Sequence, residues 1–210
     1  MKDYTLVLVT PPVLEPVSLT EAKGFLRIDA GSIDDDVYIQ GLITTARQFC
    51  EDFQNRAYIT QTWELGLNNF EYSKNDKLNN YHKKSLIEIP KGSLQMINTF
   101  TYKDASGVVT TLTNNTDYVV STRGILGRIC PPFGKVFPVS LLFPLDPIVI
   151  NYTCGYGTTA DKVPLKIKQA IYLMVSHWYD NRAVFSENRI SLEISFAVTA
   201  LLQQDRIAIY

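Results

Sequence analysis

The chain has 210 residues, with 46% apolar and 20% charged side chains and a formal net charge of −1. That is enough for one large or two small domains with a substantial core, and the near-neutral charge argues against broad binding to a nucleic-acid backbone, which needs a basic face. No apolar run approaches the roughly 20 residues of a membrane span, and the first residues end in Thr10-Pro11-Pro12, a poor signal peptide. The three cysteines, Cys50, Cys130 and Cys154, are widely spaced and match no zinc or redox pattern. An odd count with one thiol on an apolar face reads as reduced cysteines in a protein made in a cytoplasm.

In chain order, Tyr4–Val9 is a short apolar run, strand or extended arm, stopped by Pro11 and Pro12. Ser18 with Glu21 three residues later reads as a capping box opening a short helix, whose face is Leu19, Ala22, Phe25 and Leu26. The stretch Ile33–Asn55 follows as the longest helix. Its apolar residues Ile39, Leu42, Ile43, Ala46, Phe49, Cys50 and Phe53 are spaced 3, 1, 3, 3, 1 and 3 apart, which puts them on one face and leaves Arg47 and Glu51 outside. Asp34, Asp35 and Asp36 suit the positive end of the helix dipole.

The period then changes. Thr60–Phe70 alternates, with Trp63, Leu65 and Leu67 on one face, and Leu86–Ile89 alternates again. Glu71–Ser85 between them reads as a long exposed loop. Ile97–Lys103 and Val108–Leu112 around Asp104–Gly107 form the clearest hairpin. Tyr118–Ser121 is a further strand, Pro131–Pro147 holds five prolines and is loop with at most edge strand, and Ile148–Cys154 is the closing strand. Pro164 opens a second strong helix with Ile167, Ala170, Ile171, Met174, Val175 and Trp178 on one face, and Phe196–Leu202 makes a short third. The expected class is α+β. Residues 15–57 and 160–204 make a helical bundle of N-terminal hairpin plus C-terminal helix, residues 58–156 an inserted and mostly antiparallel β region, residues 1–14 an arm, and residues 203–210 a tail.

Chemistry is thin. His82 lies in a polar loop. His177 sits beside Ser176, but consecutive helical residues point in different directions, so they are badly placed as base and nucleophile. Asp34–Asp36 lack the following glycine and distal glutamate of a calcium loop, and Gly155–Gly157 lacks the Lys-Ser/Thr of a P-loop. No catalytic residue, cofactor or metal is expected. Two rival readings are a hydrolase using His177 and a carbohydrate- or protein-binding β module, which exposed aromatics at Phe70, Tyr72 and Tyr81 would favour.

Ser18–Lys23, Leu26–Asp29, Asp35-Asp36, Ala46-Arg47, Thr60–Leu65, Tyr152–Gly157, Val163-Pro164, His177–Arg182 and Leu201-Leu202 before Arg206 stand in an order that resembles the head–tail connector (adaptor) family of long-tailed bacteriophages and prophages. The resemblance covers residues 15–206. It implies a virion structural protein on a helical bundle, located at the capsid vertex and made in the bacterial host cytoplasm. The implied partners are neighbouring copies in a ring, twelve by the portal's symmetry, the portal protein above, and a tail-side connector or tail-terminator protein below. Packaged DNA would pass through the channel without specific binding, and no membrane is involved. In the family the C-terminal segment reaches the portal. Leu201, Leu202, Arg206, Ile207, Ile209 and Tyr210 are the corresponding candidates, with Phe196, Leu201 and Leu202 folding back on the bundle as the alternative for that part, and a tail used at the portal should add little to the subunit's own stability.

Overall fold

The computed structural model describes residues 4–70, 86–138, 141–182 and 192–207. Within these stretches the chain divides into two compact units, one of residues 12–59 and 156–207, the other of residues 4–11 and 60–155.

The first unit is helical. Helix α1 (Leu19–Leu26) opens on the expected capping box: the Glu21 backbone N–H donates to Ser18 Oγ at 3.2 Å, and the Ser18 N–H donates to Glu21 Oε2 at 2.7 Å. It stops at Arg27, left-handed at φ 59°. Helix α2 (Asp36–Gln54) ends the same way at Asn55, φ 54°, a residue type that tolerates this conformation. A single 3₁₀ turn (Ala160–Lys162) and Pro164 lead into α3 (Leu165–Asp180), and α4 (Leu192–Gln203) follows. Helix α2 packs on α3, α3 on α4, and α1 on both α2 and α3. Ile39, Ile43, Ala46 and Cys50 of α2 meet Ile167, Ala170, Ile171 and Met174 of α3, with Val198 and Leu202 of α4 in the same core.

One part of the sequence reading is corrected here. Phe49 is 51% exposed, whereas Arg47, Glu51 and Gln54 are buried. The face that packs is turned about the α2 axis from the apolar stripe by less than one residue step of about 100°. The rotation is tolerated because the polar residues it buries find partners, as described below.

The second unit holds eight described strands: β1 (Tyr4–Thr10), β2 (Gln61–Leu67), β3 (Ile87–Ile89), β4 (Leu94–Lys103), β5 (Val109–Thr111), β6 (Val119–Ser121), β7 (Gly127–Cys130) and β8 (Ile148–Cys154). They form a five-stranded sheet in the order β1-β2-β8-β4-β5 and a three-stranded sheet in the order β3-β7-β6, antiparallel throughout. Strand β8 is central and alternates strictly. Ile148, Ile150, Tyr152 and Cys154 are buried and their neighbours half-buried. The two sheets meet where Leu94 of β4 lies over Gly127 of β7: a Cβ at 127 would come within 2.3 Å of the leucine side chain, so only glycine fits. Phe100 of β4 packs edge-on against Tyr118, which precedes β6, at 5.1 Å.

Phe70 stacks on Phe137 at 4.8 Å and is 7% exposed, so it belongs to the core of this unit and not to an aromatic binding face. Phe137 comes from the proline-rich stretch, whose described residues also form an isolated bridge from Leu142 to Asp104. Tyr4–Thr10, the apolar N-terminal run, lies along β2 as the edge of the larger sheet. Tyr72, Tyr81 and His82 lie outside the described residues.

Removing Ile171, wholly buried between α2 and α4, should cost about 2–5 kcal/mol as Ile171→Ala. Phe49→Ala should cost less than about 1 kcal/mol because the ring is half in water. Denaturant melts of the two variants side by side measure the turned face of α2 directly.

Candidate functional site

The residues that the buried face of α2 brings inward form a continuous polar chain. Arg47 donates through Nε to Glu15 Oε2 at 2.7 Å and through Nη1 to Glu51 Oε2 at 2.6 Å. Glu15 also accepts from Thr44 Oγ1 at 3.0 Å. The second oxygen of Glu51 accepts the Tyr58 backbone N–H at 2.8 Å, and the Tyr58 hydroxyl donates to Gln54 Oε1 at 2.7 Å. Gln54 passes the chain on, its Nε2 donating to the Leu202 carbonyl at 2.6 Å. Burial alone would depress the Arg47 guanidinium, but the Glu51 and Glu15 carboxylates outweigh it and raise its pKa above the ordinary value. Burial likewise pushes the Tyr58 hydroxyl well up, so it stays a neutral donor.

The chain ends on the C-terminal segment. The Ile207 N–H donates to the Gln54 carbonyl at 2.9 Å, and Asn55 Nδ2 donates to the Ile207 carbonyl at 2.9 Å. Arg56 Nη1 donates to the Asp205 carbonyl at 3.4 Å, and Lys166 pairs with the Asp205 carboxylate at 2.6 Å. Arg206 stands over the Phe53 ring at 4.9 Å. Of the tail candidates, Leu202 and Ile207 are therefore buried in the subunit's own core, Leu201 is half-buried against it, and Arg206 is exposed. Ile209 and Tyr210 lie outside the described residues. The polar run Gln54-Asn55-Arg56 at the end of α2, which holds this segment, carried no sequence signal beyond being polar.

A second cluster ties the end of α3 to the start of α2. Asp35 Oδ2 accepts from Arg182 Nη2 at 2.7 Å and from the Tyr179 hydroxyl at 2.5 Å, while the Arg182 guanidinium lies over the rings of Tyr38 at 4.8 Å and Tyr179 at 4.5 Å. Asp35 precedes α2 without capping it through its side chain, and Asp36 pairs with Lys23 of α1. Two of the three acidic residues, Asp35 and Asp36, thus make cross-element ties.

Neither cluster contains a nucleophile poised for reaction. The Cys50 thiol is buried 3.7 Å from the Met174 sulfur, and burial pushes its pKa up to about 12. His177 neighbours the Asn181 side-chain amide at 3.3 Å, in a helix-end contact. Among the described residues no three His, Cys, Asp or Glu groups gather as a metal site. The polar groups that the fold buries hold segments of the chain to one another.

The sequence profile of the head completion protein family matches residues 15–191, and the chain belongs to that family. It is therefore a virion structural protein of the head completion class. Its fold is similar to a chain in the virion of a native gene transfer agent (GTA) particle, with TM-score 0.75 at 19% identity over 98% of this chain and 97% of that one. It is also similar to chains in the neck of the empty GTA particle computed with C6 symmetry (TM-score 0.74, 19% identity) and in the neck of the native particle computed with C12 symmetry (0.69, 18%), with the same coverage. No curated protein matches the sequence.

Removing Arg47 strands two carboxylates in a largely buried site, so Arg47→Ala should cost about 3–5 kcal/mol in a denaturant melt. Deleting residues 205–210 removes the Lys166 pair and the buried Ile207, so the melting temperature of the truncated protein should fall, contrary to the expectation from sequence. The Asp35 tie should respond to acid. Arg182 first and Tyr179 second hold its carboxyl below the ordinary range, so the stability it adds is complete above the unfolded carboxylate's pKa of about 4 and is lost as pH falls through the lower folded value. The melting-temperature gap between wild type and Asp35→Asn should be constant from neutral pH to about 5 and close below about 4.

Proposed function

We propose that copies of this protein form a closed ring at the head–tail junction, beneath the portal and above a tail-side connector or tail-terminator protein, extending the channel through which packaged DNA passes. The reading rests on the family match over residues 15–191, and the near end-to-end likeness to chains of GTA necks computed with sixfold and twelvefold symmetry supports it. Head-to-tail contacts around a channel must close, and twelve copies match the larger of those symmetries. A net charge of −1 suits a channel wall that DNA slides past, because a strongly basic lining would hold the duplex by counterion release. The role is mechanical and non-enzymatic.

The portal contact in this reading starts where the clamp ends. Leu202 and Ile207 are anchors that fix the direction in which the chain leaves α4, while Arg206, Ile209 and Tyr210, with the half-buried Leu201, make the contact, filling an apolar groove or adding main-chain hydrogen bonds. Arg206 bonds a carboxylate or carbonyl there.

Cryo-electron microscopy of tailed particles should show twelve copies in a ring between portal and tail. A lysate lacking the protein should accumulate DNA-filled heads without tails. A single copy or a trimer at that position would reject the ring.

A further inference from the structure

The five-stranded sheet has two edges, and among the described residues no strand pairs with the outer side of either. Strand β1 (Tyr4–Thr10) carries no charge, glycine or proline, and Val7, Leu8 and Val9 are 49%, 42% and 50% exposed. An extended, uncharged, β-branched edge of this kind is what soluble proteins ordinarily blunt with lysine, proline or a covering loop. Here, among the described residues, the relief along the strand is a register irregularity between Leu8 and Thr10, with Pro11 closing its end. Both edges are held ready. Thr5 Oγ1 donates to the Asp146 carboxylate at 3.1 Å, pinning the start of β1. At the opposite edge, β5 (Val109–Thr111) is exposed along its length and uncharged, with Val108 and Val109 58% and 61% exposed. The turn before it is fixed by Asp104 Oδ1, which accepts from the Ser106 and Val108 N–H groups at 2.9 Å each and from Ser106 Oγ at 2.7 Å.

We propose that these two edges are the two halves of one interface: the β5 edge of each copy pairs with the β1 edge of the next, carrying the sheet from subunit to subunit. The inference rests on the ring reading above and names the surface that builds the ring. A second copy is the occupant because two different, mutually compatible edges of a single sheet make a head-to-tail contact, the kind that closes by rotation. Antiparallel pairing across the five strands leaves β1 and β5 running in the same direction. A ring rotation about an axis along the strands preserves that direction, so the contact is a parallel pair. It is short, limited by the three residues of β5, and parallel pairing is the weaker kind. The ring therefore forms when copies are gathered at the particle and not in dilute solution.

Cross-linking in assembled particles tests this. Val7→Cys and Val109→Cys are introduced singly and together, tailed particles are treated with a short bismaleimide, and the protein is resolved by denaturing electrophoresis, with wild type reporting the background from Cys130. Imaging of the same particles shows whether a ring is present. The double variant should give a ladder of covalent multimers beyond the dimer, and neither single variant should exceed background. A ring with no ladder would overturn the edge pairing and leave the ring reading standing, while particles without a ring would sink both. A dimer from Val7→Cys alone would mean a symmetric β1–β1 contact and would also overturn the proposal. Should the cysteine variants assemble poorly, Val7→Lys with Val109→Glu provides a second measurement: each single change should lower the yield of tailed particles severalfold and the pair together should restore it. Unchanged yields in both single variants would count against the interface.

Discussion

The hydrogen-bonded chain from Glu15 through Arg47, Glu51, Tyr58 and Gln54 to Leu202 is the constraint on which the helical unit depends. It joins the segment before α1, the middle of α2, the residues after α2 and the end of α4, pieces that span nearly the whole chain. Apolar burial alone would let α2 sit with its Phe49 side inward, as its hydrophobic stripe suggests. A carboxylate pair around Arg47 is affordable inside only when each oxygen and nitrogen has a partner, and the orientation of α2 that supplies those partners is the one observed. Shape and polar satisfaction here select the same rotation of one helix, and the exposed Phe49 is the cost.

In the β unit the opposite choice has been made. The interior is closed by aromatic packing among Phe70, Phe100, Tyr118 and Phe137 and by the close approach at Gly127. Among the described residues, the margins of the larger sheet carry no partner strand and no charge. One unit uses its polar groups to fasten its own ends, and the other leaves backbone edges unused, a division suited to a subunit that is stable alone and sticky only in company.

Much of this was legible in the sequence where the determinants are local. The capping box at Ser18 and Glu21, the helical periods of α2 and α3, the hairpin around Asp104–Gly107 and the alternation of β8 each lie within one element and were read at nearly their observed limits. The packing of α2 on α3 was read from their two apolar faces, but no polar partnership over a long separation could be. Glu15 and Arg47 are 32 residues apart, and Gln54 and the Leu202 carbonyl 148, so nothing in either neighbourhood marks them as partners. The burial of Ile207 was missed for the same reason: a short apolar terminus looks like a free ligand until the polar hooks at residues 54–56 are placed beside it. The i,i+4 pairing of Arg47 with Glu51 was the one local hint, and on most helices such a pair faces water.

The clamp on Ile207 also sets how the C-terminus moves. Residues 204–207 belong to no helix or strand, and a segment of that kind usually exchanges its amide hydrogens freely, as a fraying end does. Here the Ile207 N–H is bonded to the last residue of α2 and its side chain lies in the core, so opening it requires loosening the end of α2 as well. Its amide should exchange on the slow timescale of the bundle's cooperative opening, and the Tyr58 amide, bonded to a carboxylate rather than to backbone, should open with it. The kinetics of the last described residues are thus those of the core.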